Sequence, residues 1–165
     1  MRWVLVSCAI ALALAGCGKP AANSVSADNS AAPAAPTGPT VKVAVTLTPA
    51  AASALTAAGQ NLIISLDLLG DANAKGLALQ DEQGEFYLTH QVRSTLPGAG
   101  TATIAVPAFD PGLLVNLKGG KAFMMINVVS GEGHIAENKL YCSTYFDKIA
   151  HAEAAGVQIQ CKPLS

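Results

Sequence analysis

From residue 41 onward, apolar and polar positions alternate in short runs separated by breaks. In Val41-Lys-Val-Ala-Val-Thr-Leu-Thr48 the side chains of Val41, Val43, Val45 and Leu47 share one face, the pattern of a half-buried strand. Thr48-Pro49 has the form of a helix start, with threonine as cap and proline in the first turn. The Ala-rich run behind it meets a stop at Gly59. A second strand is predicted over 62–69, with Leu62, Ile64, Leu66 and Leu68 on one face and Gly70-Asp71 ending it. A loop at 71–76, a short strand at 77–80 and a turn at Asp81-Glu-Gln-Gly84 come next. Residues 85–92 form the following strand, with Phe86, Leu88 and Val92 pointing alike. Leu96-Pro-Gly-Ala-Gly100 breaks the chain before a strand at 101–106. Asp110-Pro111 opens a single turn that carries Leu113, Leu114 and Leu117 and stops at Gly119-Gly120. The run 121–129 is apolar on both faces, which places it centrally. A strand over 139–146, a short helix capped by Asp147 and stopped by Gly156, and a strand over 157–162 complete the pattern.

Seven or eight short strands with two or three short helices predict an all-β fold, an antiparallel two-sheet β-sandwich spanning residues 41–165. The segment is long enough to bury a core of its own. It shows no repeat of fixed period, no heptad and no further apolar span of membrane length.

The first forty residues have a different character. Arg2 is followed by an apolar stretch from residue 3 to 14, broken only by Ser7, and then by the small residues Ala15 and Gly16 before Cys17. A positive start, a short apolar middle and a small-residue end constitute a secretory signal over residues 1–16. The apolar stretch is shorter than the roughly 20 residues a bilayer requires. Cys8 lies within it as a small hydrophobe. Residues 17–40 hold four prolines, many alanines and serines and one large aliphatic residue, Val25. They cannot build a core, and a disordered spacer with a reach on the order of 25 Å is expected.

Leu14-Ala15-Gly16-Cys17 resembles the lipobox of bacterial lipoproteins, matching it at all four positions. The resemblance implies cleavage before Cys17, diacylglycerol on its sulfur and usually a third acyl chain, such as palmitate, on the new amino group. Two or more chains hold a protein on a membrane where one does not. In that family Asp at the position after the cysteine retains the protein in the inner membrane. This chain has Gly18 there, so the outer membrane is expected.

Charge narrows the function further. From Lys42 onward the chain has eight Lys/Arg and ten Asp/Glu, a net charge of −2 with neutral histidines and no basic run. Nucleic acid is therefore not an expected partner. The two cysteines beyond Cys17 are Cys142 and Cys161. In an exported chain an even pair reads as a disulfide, and the Cys-x-x-Cys spacing of redox or metal thiols is missing. Leu140, Cys142, Thr144 and Phe146 share one face of their strand, and Val157, Ile159 and Cys161 share one of theirs, so both cysteines are expected to point inward.

Glu132, His134 and Glu137, with His151 and Glu153 later, are the candidate metal ligands, but Gly131-Glu-Gly-His134 lies between two strands, where polar residues cluster anyway, and a solvated loop with no metal is the expectation. His90 shares a face with Phe86 and Leu88, as a strand-end histidine does. Asp81 and Glu85 belong to a turn. No Gly-x-Ser-x-Gly elbow and no phosphate-binding glycine loop occurs. Neither an enzyme nor a cofactor is expected. Tyr141, Ser143 and Tyr145 alternate outward; they either mark a contact surface or are covered by a second layer.

The domain also resembles small envelope lipoproteins in Thr46-Leu47-Thr48-Pro49, in Ile64-Ser-Leu-Asp-Leu-Leu-Gly70-Asp71 and in Asn138-Lys-Leu-Tyr-Cys142. Val106-Pro-Ala-Phe-Asp-Pro111 before a leucine-rich turn is similar to pilotin-like lipoproteins. That similarity implies an escort for an outer-membrane partner. The expectation is a non-enzymatic envelope lipoprotein that binds a protein, glycan or small ligand. The alternatives are a pilotin-like assembly factor or an inhibitor of a lytic enzyme. An apolar groove would favour a ligand, and an open edge strand would favour a protein partner.

Overall fold

The computed structural model describes residues 39–132 and 135–164. Eight strands form two four-stranded sheets. The first contains β1 (Thr40–Leu47), β4 (Gly100–Ala105), β6 (Leu140–Cys142) and β8 (Val157–Pro163), in the order β4-β1-β8-β6. The second contains β2 (Leu62–Gly70), β3 (Phe86–Leu96), β5 (Phe123–Ser130) and β7 (Tyr145–Lys148), in the order β3-β2-β5-β7. The expected two-sheet sandwich is therefore what the chain adopts. All pairs are antiparallel except β1 with β8, which run parallel in the middle of the first sheet.

The alternation that predicted the strands also builds the core. Val41, Val43, Val45, Ile104, Val157 and Ile159 project from the first sheet, and Leu62, Ile64, Leu66, Leu68, Met124 and Ile126 from the second. All are essentially removed from water. Helix α1 (Pro49–Ala58) covers one end of the core with Ala51 and Leu55. Its caps are those expected. The Thr48 hydroxyl accepts from the Ala51 amide at 3.2 Å, and Gly59 takes the left-handed conformation at φ 61°. Leu117 is buried at the opposite end, where it bridges to Ala72.

At the α1 end a polar pin joins the sheets. Asn138 Oδ1 accepts from the backbone amides of Ser130 and Leu140 at 3.0 and 3.1 Å, and from the Ser130 hydroxyl at 3.2 Å. Ser130 Oγ in turn accepts from the Lys139 amide at 2.7 Å. The end of β5 in one sheet is thereby tied to the start of β6 in the other.

Several local expectations are corrected. The stretch 77–80 is not a strand; Leu77–Leu79 form a 3-10 turn with both leucines exposed. The stretch 139–146 is not one strand but two, β6 and β7, in different sheets. The break falls at Ser143-Thr144, so Thr144 and Phe146 do not continue the inward face of Leu140, and both are exposed. Asp147 does not cap α2 (Ile149–Ala155): the cap position is Lys148, without a side-chain bond.

Candidate functional site

Among the described residues, the metal ligands proposed from sequence do not come together as a group of three or more. Glu132 and Glu137 are exposed near Gln60, whose side-chain amide donates to the Glu137 carbonyl at 3.0 Å. His134 and Cys17 lie outside the described residues, as does the side chain of His90. His151 sits on the surface of α2 and contacts Asp147 at 3.0 Å, one helical turn back. That contact, followed by the Lys148 amide, holds the Asp147 carboxyl below its ordinary value. Glu153 is exposed further along the same helix. Among the described residues no group of three or more His, Cys, Asp and Glu is placed to hold a metal ion.

Cys142 and Cys161 do form a disulfide. They stand directly opposite one another on β6 and β8. Cys161 is buried and Cys142 half-buried, so the inward register expected for them is observed. Tyr141 points the other way, 62 % exposed, with the Lys162 ammonium 5.1 Å from its ring centre. Tyr145 turns inward against the core, and its burial, then the charge of Asp147, raises its phenol above the usual value.

An acidic cluster on the outer face of the second sheet joins Asp81 and Glu85, expected from sequence as turn residues, to Asp67, which was not among the candidates. Asp67 is 3 % exposed in the middle of β2. It lines a shallow depression of about 400 Å³ with Asp81, Tyr87 and Gln91. The Tyr87 hydroxyl donates to the Glu85 carboxylate, and this bond, then burial and the charges of Glu85, Asp67 and Asp81, pushes the phenol far up. Asp81 is structural, because its Oδ1 accepts from the Gln83 and Glu85 amides at 2.9 and 2.8 Å. The sequence signal was a lone charge inside the apolar run 62–69. Opposite Asp67 the β2–β3 register slips, which gives the polar groups room.

Beside that cluster the outer face is apolar. Met125 pairs with Phe146 and Leu69 with Phe123, and the two phenylalanine rings stack with centres 5.2 Å apart. This is why the run 121–129 reads as apolar on both faces. One face enters the core and the other carries this patch, with Phe146 55 % exposed.

The sheet edges differ sharply. β6 has three residues and β7 four, the latter including Asp147 and Lys148. β3 is long but has register slips against β2 and carries Arg93. All these features discourage a further strand from pairing. β4, Gly100-Thr-Ala-Thr-Ile-Ala105, has none of them: it is uncharged, free of proline and in regular register with β1 on its one paired side. Thr101 and Thr103 stand exposed on its outer face, while Ala102 and Ile104 enter the core.

No family model, curated protein or solved structure matches this chain.

Proposed function

We propose that the chain is a bacterial envelope lipoprotein, anchored through Cys17, whose β-sandwich captures an envelope protein by pairing an extended segment of it against β4. The anchor is supported by the lipobox Leu14-Ala15-Gly16-Cys17 at the end of a secretory signal, and the outer membrane by Gly18. The binding mode rests on one observation. Among the described residues β4 is the edge strand longer than four residues with no charge, no proline and no register slip, the condition under which a sheet accepts another strand through backbone hydrogen bonds; β6 shares that chemistry but has only three residues.

The test is photo-crosslinking in intact envelopes from a reactive residue placed at Thr103, with one at Thr95 on β3 as control. A defined adduct from Thr103 is expected, and Thr101→Lys with Thr103→Lys should reduce capture several-fold in a reporter placed at Ala105. Both threonines are exposed, so the melting temperature should be unchanged. Equal yields from Thr103 and Thr95, or full capture by the folded double variant, would rule out pairing at β4.

A further inference from the structure

Three large apolar side chains stand out at the end of the sandwich opposite α1. Leu77 is 59 % exposed, Leu79 55 % and Val115 63 %. They belong to two connections, 71–85 after β2 and 106–122 before β5, which are laced together. Asn73 donates through its side-chain amide to the carbonyls of Val115 and Leu117 at 2.8 and 3.0 Å, and through its backbone amide to that of Asn116 at 2.8 Å. The Lys118 amide donates to the Asp71 carbonyl at 2.8 Å. Gly76 lies so close to the Asn116 carbonyl that a Cβ there would sit 2.4 Å from the oxygen. The exposed side chains are thus presented by braced turns rather than by loose loop tips, which makes them a candidate contact surface.

Chain connectivity indicates what they would contact. The chain joins the sandwich at this same end. Thr40 pairs with Ala105, the last residue of β4, and the Pro39 carbonyl accepts from the Val106 amide at 2.9 Å. Val106 begins the connection that carries Val115. Pro39 follows Cys17 by 22 residues. On the reading that Cys17 bears lipid, the covalent link therefore emerges from the end that presents Leu77, Leu79 and Val115. The two connections contain Lys75, Lys118 and Lys121 against Asp71, Asp81, Glu82, Glu85 and Asp110. With more acidic than basic groups, attraction to anionic headgroups does not drive a contact, whereas burial of apolar side chains at the lipid boundary does.

We propose that Leu77, Leu79 and Val115 form a ledge that rests in the boundary layer of the phospholipid bilayer to which the chain is tethered, fixing which end of the sandwich faces the membrane. This rests on the lipoprotein reading above, and it leaves β4 directed along the membrane normal with its outer threonines accessible.

The processed chain contains no tryptophan, since Trp3 precedes Cys17, so a single introduced indole reports its own surroundings. The lipidated full-length protein carrying Leu79→Trp is reconstituted in protein-free vesicles of phosphatidylethanolamine and phosphatidylcholine. Tyr141→Trp, exposed on the first sheet and far from the ledge in the strand register, serves as control. The expected result is blue-shifted emission and several-fold stronger quenching by brominated lipid for Leu79→Trp than for Tyr141→Trp, unchanged when phosphatidylglycerol is added. A protein that floats with the vesicles while both indoles are quenched alike overturns the ledge and leaves the anchor standing. A protein that does not float overturns the anchor, and the contact with it.

Discussion

At the scale of single residues, the fold depends on a few polar groups whose loss cannot be compensated. Asn138 is one. Its side-chain oxygen serves two backbone amides and the Ser130 hydroxyl where β5 passes to β6, and Ser130 is fully buried. Asn138→Ala strands these donors, and a loss of about 2–3 kcal/mol in urea unfolding is expected. Asn138→Asp should cost less, since the accepting oxygen survives. Tyr87 permits a pH test. Its phenol is held protonated by the bond to Glu85, so the folded value lies above the unfolded one, which is about 10. The stabilisation is therefore complete at neutral pH and is lost as pH rises through the folded value. The stability gap between the parent and Tyr87→Phe, about 1 kcal/mol, should hold up to about pH 10 and shrink above it. What was legible at this scale was what is local. Thr48, Gly59 and Asp110 act as the caps their neighbours imply, with the Asp110 carboxylate accepting from the Gly112 amide at 2.8 Å. Asn138 was not legible as a structural group, because its bonds to Ser130 join strands of different sheets.

At the scale of elements, periodicity identified the strands but not the sheet to which each belongs. The stretch 139–146 alternates without interruption, and nothing in a period of two marks the point where a strand leaves one sheet for another. The switch occurs at Ser143-Thr144, where the Ser143 amide donates to Gln160 across the first sheet while the Thr144 hydroxyl donates to Asn127 of the second. The exposed leucines at 77 and 79 mimic a strand for a similar reason: apolar residues two apart read as one face even where a 3-10 turn displays them to solvent. Gly76→Ala tests the bracing of that turn. The added methyl meets the Asn116 carbonyl, so the 71–79 amides should exchange faster by hydrogen–deuterium mass spectrometry, with the sheets unaffected. The disulfide also acts at this scale, stapling the three-residue β6 to β8 across 19 positions of sequence. Reduction should cost about 3 kcal/mol and release β6 first, seen as lost protection at 140–142 before global unfolding. Thiol labelling of the unreduced protein should find neither cysteine.

At the scale of the whole molecule, the sandwich was legible because strand count, strand length and the break at Val41 all constrain it; the strand order was not, since it depends on which strands meet after folding. The proposed anchor belongs to this scale as well. Cys17→Ser removes the sulfur that would accept lipid, and unprocessed precursor without incorporated acyl label is expected in radiolabelled cells. Normal labelling of that variant would place the lipid elsewhere. One further consequence follows from the parallel pair at the centre of the first sheet. β1, the earliest strand, is hydrogen-bonded to β8, the last, from Val43 with Val157 to Leu47 with Cys161. Until β8 is present, β1 has a neighbour on one side only, and the valines it contributes to the core have no opposite wall in their own sheet. A polypeptide threaded amino end first through a narrow channel would therefore emerge as an incomplete half-structure, unable to lock behind the pore, and would commit to its final shape only once its tail had cleared. The pairing of the first described strand with the last delays closure of the sheet until nearly the whole chain is available, and the price is slow assembly from contacts distant along the chain.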